Sequence, residues 1–174
     1  MTDPVRTPDP LAAAARLPPE AVVIYRAFGA PEALSVALGL RAFTRARGLL
    51  LLIGVDEALA VAVRADGLHL PERMIPRARL IRARHPDWRL TAAAHSASAV
   101  RRAEAAGVDA VMVSAVFPSR SPSAGPPMGV LRLAGLIGGV STPVIALGGV
   151  NVRTARRLGG TGAAGLAAID GWLD

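Results

Sequence analysis

The chain of 174 residues contains no cysteine and no lysine, and each absence excludes a body of chemistry. Without cysteine there is no disulfide, no thiolate nucleophile and no cysteine-ligated metal centre. Without lysine there is no Schiff-base amine, no P-loop and no lysine clamp on a phosphate, so arginine carries all the basic charge. Aromatic residues are scarce at 3%, which leaves little surface on which nucleic-acid bases could stack. The net charge of +7 and the pI near 11.5 arise from arginines spread over helix faces, Arg41, Arg45, Arg47, Arg77, Arg79, Arg82 and Arg84 among them. That pattern reads as a solvated face and not as a nucleic-acid groove. Apolar runs such as Leu49 to Ile53 are far too short to cross a bilayer. Met1 to Pro10 is polar and proline-rich, without the basic start and apolar stretch of a secretory signal, so the expected location is the cytoplasm.

What is present suits one domain over residues 1–174: 52% of residues are hydrophobic and 19% charged, enough to bury one core and solvate its surface. After a short alanine-rich helix, Leu11 to Leu17, apolar runs alternate with helical segments. Strands are expected at Ala21 to Arg26, Gly48 to Ile53, Gly67 to Leu70, Leu90 to His95, Ala110 to Val116, Pro143 to Leu147 and Ala164 to Ile169. Helices are expected at Pro31 to Arg47, Asp56 to Arg64, Ile75 to Arg84, Ser96 to Ala106, Val130 to Ile137 and Asn151 to Leu158. Seven strands separated by helices at this spacing predict a parallel sheet, and a (β/α)8 TIM barrel in preference to a flavodoxin-like open sheet. Such a barrel is expected to lack its first strand, which would precede Met1, and its closing C-terminal helix, for which Gly171 to Asp174 leave no room. Exposed edges on an incomplete barrel predict self-association into a homo-oligomer or reduced stability.

The chain is organised around the run from Val111 to Gly129, an apolar strand that breaks into a loop of prolines, serines and glycine. Loops at the carboxyl ends of parallel strands are where α/β proteins build sites, so Ser119, Arg120 and Ser121 are candidates there. Gly148, Gly149 and Asn151 follow an apolar strand and open a helix, an arrangement that aims backbone amides at an anion or simply permits a tight turn. A carboxylate at the end of the last strand, Asp170, would repel a phosphate there unless an arginine intervened. Asp56 and Glu72 follow neighbouring strands and form a candidate pair for Mg²⁺, although helix capping and solvation explain them equally. His69 and His95 stand near strand ends as acid–base candidates or packed core residues, and Arg26 and Arg120 are both placed to meet a diphosphate bidentately.

The chain resembles the thiamine phosphate synthase and TenI family in Met1-Thr2-Asp3, where Thr-Asp ends the family's first strand, and in Tyr25-Arg26, Ala65-Asp66-Gly67-Leu68-His69-Leu70, Val116-Phe117-Pro118-Ser119-Arg120-Ser121, Ala146-Leu147-Gly148-Gly149-Val150 and Gly165 to Ile169. The resemblance implies a (β/α)8 barrel that joins a pyrimidine diphosphate to a thiazole phosphate with Mg²⁺ bound. It implies that Arg26 contacts the diphosphate, that Ser119 and Ser121 replace two loop threonines, that Gly148 and Gly149 bind the thiazole phosphate, and that Asp56 is the nearest surviving metal ligand. The pattern is departed from at Phe28 and Pro122, where the family has lysines, at Pro71-Glu72, near Met74, and at Asp170 where it has serine. The two lost lysines and the reversed charge at Asp170 remove electrostatic stabilisation on which a diphosphate leaving group draws, and the departure near Met74 is the loss of a second metal-ligand aspartate. A TenI-like thiazole tautomerase, with His95 as its acid–base group, and a non-catalytic ligand-binding or regulatory barrel are the alternative readings.

Overall fold

The computed structural model describes residues 1–121 and 125–170. Pro122 and residues 171–174, where the missing loop lysine and the missing closing helix were expected, lie outside them. The strands are β1 (Val22–Tyr25), β2 (Leu50–Gly54), β3 (Gly67–Leu70), β4 (Arg89–Ala94), β5 (Ala110–Val113), β6 (Val144–Ala146) and β7 (Gly165–Leu166). They form one seven-stranded sheet in chain order, every neighbouring pair parallel. An order that never reverses has no topological switch point, which removes the flavodoxin-like alternative. The helices are α1 (Pro10–Ala15), α2 (Ala33–Arg47), α3 (Glu57–Ala62), α4 (Ala78–Arg84), α5 (Ala97–Ala105), α6 (Val130–Ile137) and α7 (Val152–Ala155). None of the helices among the described residues is long and apolar enough to cross a membrane.

Alternation along each strand sorts side chains to two faces. Val23, Leu51, Ile53, Leu68, Leu70, Leu90, Ala92, Val111 and Val113 join the large core beneath the helices. Ile24, Leu52, Met112 and Ala167 form a second, smaller cluster with Met1, Ile145 and Leu147 on the opposite face. A sheet with a core of its own on the inner side is a curled, TIM-like arrangement. Its two edges are tied at the carboxyl end, because the Met1 nitrogen donates to the Ala168 carbonyl at 3.0 Å and the Thr2 amide to the Ile24 carbonyl at 2.9 Å.

Local signals account for most element boundaries. Asp56 and Ser96 cap α3 and α5 by accepting the Leu59 and Ala99 amides, and Gly48 ends α2 in the left-handed conformation. Two helices are shorter than expected, the first for a local reason. The helix expected from Ile75 begins only at Ala78, after a 3-10 segment Glu72–Arg77 that contains Pro76, which has no N–H to donate. The helix expected over Asn151 to Leu158 is α7 followed by a 3-10 turn, Arg156–Leu158. At the amino ends of the strands, Asp66 takes the Leu51 amide (2.8 Å) and Arg41 (2.7 Å) on one carboxylate oxygen. Asp109 repeats the device with the Leu90 amide (2.6 Å) and Arg82 (2.7 Å). Arginines of α2 and α4 are thus committed to holding the sheet, and the opposite, carboxyl end is left for a site.

Candidate functional site

A cavity of about 1050 Å³ opens at the carboxyl ends of the strands, lined by residues at or just after the end of each of the seven strands and by Met1 and Arg6. Five arginines line it: Arg6, Arg26, Arg73, Arg120 and Arg157. Arg26 follows β1 directly and its position is fixed by the chain around it. Its Nε donates to the Thr2 carbonyl at 2.8 Å, its amide donates to Thr2 Oγ1 at 2.9 Å, and its guanidinium meets Asp3 at 3.3 Å. Burial lowers the Arg26 pKa, Asp3 counters this and Arg6 adds to it, yet a guanidinium stays charged at any physiological pH.

The β5 loop is zipped onto the turn after β6. Val116 and Phe117 donate their amides to the carbonyls of Leu147 and Gly148, both at 3.0 Å, so the chain leaves the ladder after Val113 and not after Val116 as its apolar run suggests. The returning stem, Met128 and Gly129, bonds back to Ala115 and Val116. This pairing sets Ser119, Arg120 and Ser121 on the same cavity as Gly148 and Gly149, with the Ser121 amide donating to Ser119 Oγ at 3.3 Å. Both glycines have positive φ, +92° and +64°. A Cβ at Gly148 would lie 2.8 Å from Ala115 Cα, and one at Gly149 only 2.3 Å from the Pro118 carbonyl oxygen. Close packing alone therefore demands glycine at both positions.

Asn151 is occupied in capping: its Oδ1 accepts the Arg153 and Thr154 amides, and its own amide donates to Thr154 Oγ1 at 2.9 Å. The amides of Gly149 and Val150, which also line the cavity, have no acceptor among the described residues. Arg157 stands beside this turn with its guanidinium 5.0 Å from the Phe117 ring centre. Arg120 is the arginine that intervenes at Asp170, pairing with it at 3.0 Å across the mouth. The carboxylate after β7 is thereby neutralised, and the positive charge left near Gly149 is that of Arg157.

His95 lines the cavity, with Nδ1 2.9 Å from the Ser114 carbonyl. A carbonyl only accepts, so Nδ1 carries the proton and Nε2 of the neutral ring is an acceptor. His69 lies on the inner face of β3, buried, with Nδ1 2.8 Å from Thr91 Oγ1 on β4. Burial, with the positive charge of Arg26 second, pushes its pKa down to about 3. An unfolded histidine titrates near 6.5, so below that pH the unfolded chain binds a proton that the folded one refuses. The stability this neutral ring contributes is complete above about pH 6.5 and is lost as pH falls from there toward about 3. We expect the unfolding free energy of the native protein, measured by denaturant titration, to drop through this window with a slope of up to about 1.4 kcal/mol per pH unit. His69→Asn is expected to abolish that part of the slope; equal slopes in the two proteins would assign the acid sensitivity to other groups.

Asp56 and Glu72, the pair expected to hold Mg²⁺, have different environments. Asp56 lines the cavity and spends Oδ1 on the Leu59 amide at 2.9 Å. Glu72 lies outside the cavity wall, with Oε1 on Arg102 at 2.9 Å and Oε2 on the His95 amide at 3.0 Å. No group of three histidine, aspartate or glutamate side chains able to hold a metal ion occurs among the described residues. Glu72 therefore does not converge with Asp56 on one ion; a Mg²⁺ here would be held by Asp56 together with water and substrate phosphate oxygens, the usual ligand set of this ion.

Sequence reasoning missed Arg6, Arg73 and Arg157 on the cavity wall. Nothing in local pattern separates them from the other arginines; only Arg6, three residues after an aspartate in a Thr-Asp-Pro turn, carries a signal that could have been read.

The thiamine monophosphate synthase family matches the chain over residues 10–171. A thiamine-phosphate synthase of Roseiflexus sp. is 34% identical over 151 residues, 85% of this chain and 64% of that protein. One from Methanoculleus marisnigri is 32% identical over 139 residues, 79% of this chain and 66% of its own. The chain thus spans about two thirds of the length of these relatives. Among solved structures, a thiamine phosphate pyrophosphorylase from Pyrococcus furiosus superposes with a TM-score of 0.81 at 27% identity, covering 97% of this chain and 82% of that one.

Proposed function

Because the chain belongs to the thiamine monophosphate synthase family, we propose that it joins a hydroxymethylpyrimidine diphosphate to a thiazole phosphate in the cytoplasm, forming thiamine phosphate and releasing pyrophosphate. One observation carries this reading: two anion-binding features, Arg26 after β1 and the Gly148-Gly149 turn with Arg157 after β6, face a single cavity large enough for two small phosphorylated molecules. The diphosphate would lie toward Arg26 and the thiazole phosphate toward the amides of Gly149 and Val150. In the reaction the thiazole nitrogen lone pair forms the C–N bond to the pyrimidine methylene carbon. The C–O bond to the diphosphate breaks, and its electron pair leaves on the bridging oxygen. The chain's contribution is to place the two reactants in line and to stabilise the charge that grows on that oxygen, the task of a preorganised guanidinium. Ser119 and Ser121, on the cavity wall after β5, add hydroxyl donors.

On this reading the seven strands belong to a (β/α)8 barrel whose eighth position lies between β7 and β1, where Met1 and Thr2 bond to both edges. The test is incubation of the folded protein with the pyrimidine diphosphate, thiazole phosphate and Mg²⁺, followed by mass spectrometry. Thiamine phosphate and pyrophosphate are expected in equal amounts. Folded protein that yields neither would overturn the synthase reading.

A further inference from the structure

Residues 3–7 form a closed turn on the cavity rim. The Thr7 amide and hydroxyl both donate to the Asp3 carbonyl at 2.8 Å, and the Val5 and Arg6 amides donate to Asp3 Oδ1 at 3.2 Å. The turn throws Val5 outward, 86% exposed, and folds Arg6 back, its side chain 18% exposed, so that it lines the cavity. The remaining carboxylate oxygen, Asp3 Oδ2, meets two guanidiniums at once, Arg6 at 3.4 Å and Arg26 at 3.3 Å. Burial raises the Asp3 pKa, but the Arg6 and Val5 amides and the Arg6 guanidinium outweigh it and hold the carboxyl below its usual range.

One carboxylate balances one guanidinium. The second positive charge is half-buried beside a cavity whose nearby histidine, His69, is neutral, and the neighbouring Phe28 offers Arg26 only a ring 4.9 Å away. A partly desolvated charge without a partner is costly unless a ligand supplies the opposite charge. Each guanidinium has five N–H donors, of which Arg6 commits one to Asp3, so both retain donors for a multidentate anion.

We propose that Arg6 is a second diphosphate-binding residue, paired with Arg26 into one clamp by Asp3, which acts as the positioning residue. This inference rests on the synthase reading and deepens it. The clamp supplies from the turn before α1 a cation that the loop after β1 does not provide at Phe28.

The test is calorimetric titration of the whole protein with inorganic pyrophosphate, together with steady-state kinetics. Arg6→Gln is expected to weaken pyrophosphate binding about tenfold and to raise the KM for the pyrimidine diphosphate to match, leaving the KM for thiazole phosphate unchanged. Arg6→Lys is expected to recover part of the affinity, which a purely structural role in the turn would not allow, and a thermal midpoint within a few degrees of native confirms the fold. Asp3→Asn is expected to raise the KM for the diphosphate alone, because both guanidiniums lose their common anchor. Native affinity for pyrophosphate in Arg6→Gln, in a protein that makes thiamine phosphate, would overturn the clamp and leave the synthase standing. Native protein that neither binds pyrophosphate nor forms product would overturn both.

Discussion

Gly67→Ala is expected to destabilise the protein by about 3 kcal/mol, a substantial part of the stability of a domain this size. Gly67 begins β3 in register with Leu52 of β2 and Arg89 of β4. A Cβ at this position would lie 1.9 Å from the Arg89 carbonyl oxygen and 2.7 Å from both the Arg89 carbonyl carbon and nitrogen. All three are backbone atoms, so no side chain can swing aside. The Arg89 amide is itself bonded to the Asp66 carbonyl at 2.9 Å, so relief requires parting β3 from β4 at the point where Asp66 also holds β2. The damage is therefore to sheet pairing. Urea unfolding followed by circular dichroism reads the effect, with Gly135→Ala as the contrast. Gly135 lies inside α6 with nothing within 4 Å of the methyl that alanine would add, and the substitution there is expected to stabilise by up to about 1 kcal/mol. A Gly67→Ala protein with a native midpoint would refute the argument from contact distance.

Gly149→Ala is expected to cost activity more than stability: at least about a hundredfold in kcat/KM for thiamine phosphate formation, the scale of a misplacement of about 1 Å. Two penalties coincide at this residue. Its φ of +64° costs a residue with Cβ about 1–2 kcal/mol. The Cβ also meets the Pro118 carbonyl oxygen at 2.3 Å and Phe117 Cβ at 2.8 Å. The cheapest relief pushes Pro118 outward and carries Ser119 and Arg120 away from the acceptor side of the cavity. Gly160→Ala separates the two penalties, since Gly160 has a φ of +79° and nothing within 4 Å. It is expected to lose about 1 kcal/mol of stability and no activity. Equal kinetic losses in both variants would place the cause in backbone strain and not in loop displacement.

Much of the architecture was legible because its signals are local. Gly67 to Leu70 and Val130 to Ile137 have the boundaries their apolar patterns predict, and Asp56, Ser96 and Asn151 cap the helices they precede. Where extents differ, a longer-range bond or a single proline decided: β5 stops early because Val116 and Phe117 bond to the turn after β6, and Pro76 turns the start of one helix into a 3-10 segment.

The candidate site was legible only in part, and the arginines show why. Arg26 was readable from the strand it ends. Arg41 and Arg82 look no different in sequence from Arg73 and Arg157, yet the first two are spent on Asp66 and Asp109 at the amino end of the sheet while the others line the cavity. Glu72 was matched to Asp56 by its place after a neighbouring strand, but it is taken up by Arg102 and the His95 amide.

By itself the sequence determined the parallel α/β fold, the absence of lysine and cysteine chemistry, and the loops in which a site would lie. Periodicity and capping act over a few residues and need no knowledge of the rest of the chain. The tertiary structure alone decided which charges meet, pairing Arg120 with Asp170 and bringing Arg6 and Arg26 onto one oxygen of Asp3. The reason is that the curl of the sheet and the paths of its loops set distances between residues 20 to 50 positions apart, and electrostatic interaction depends on those distances and on burial, neither of which a local pattern encodes.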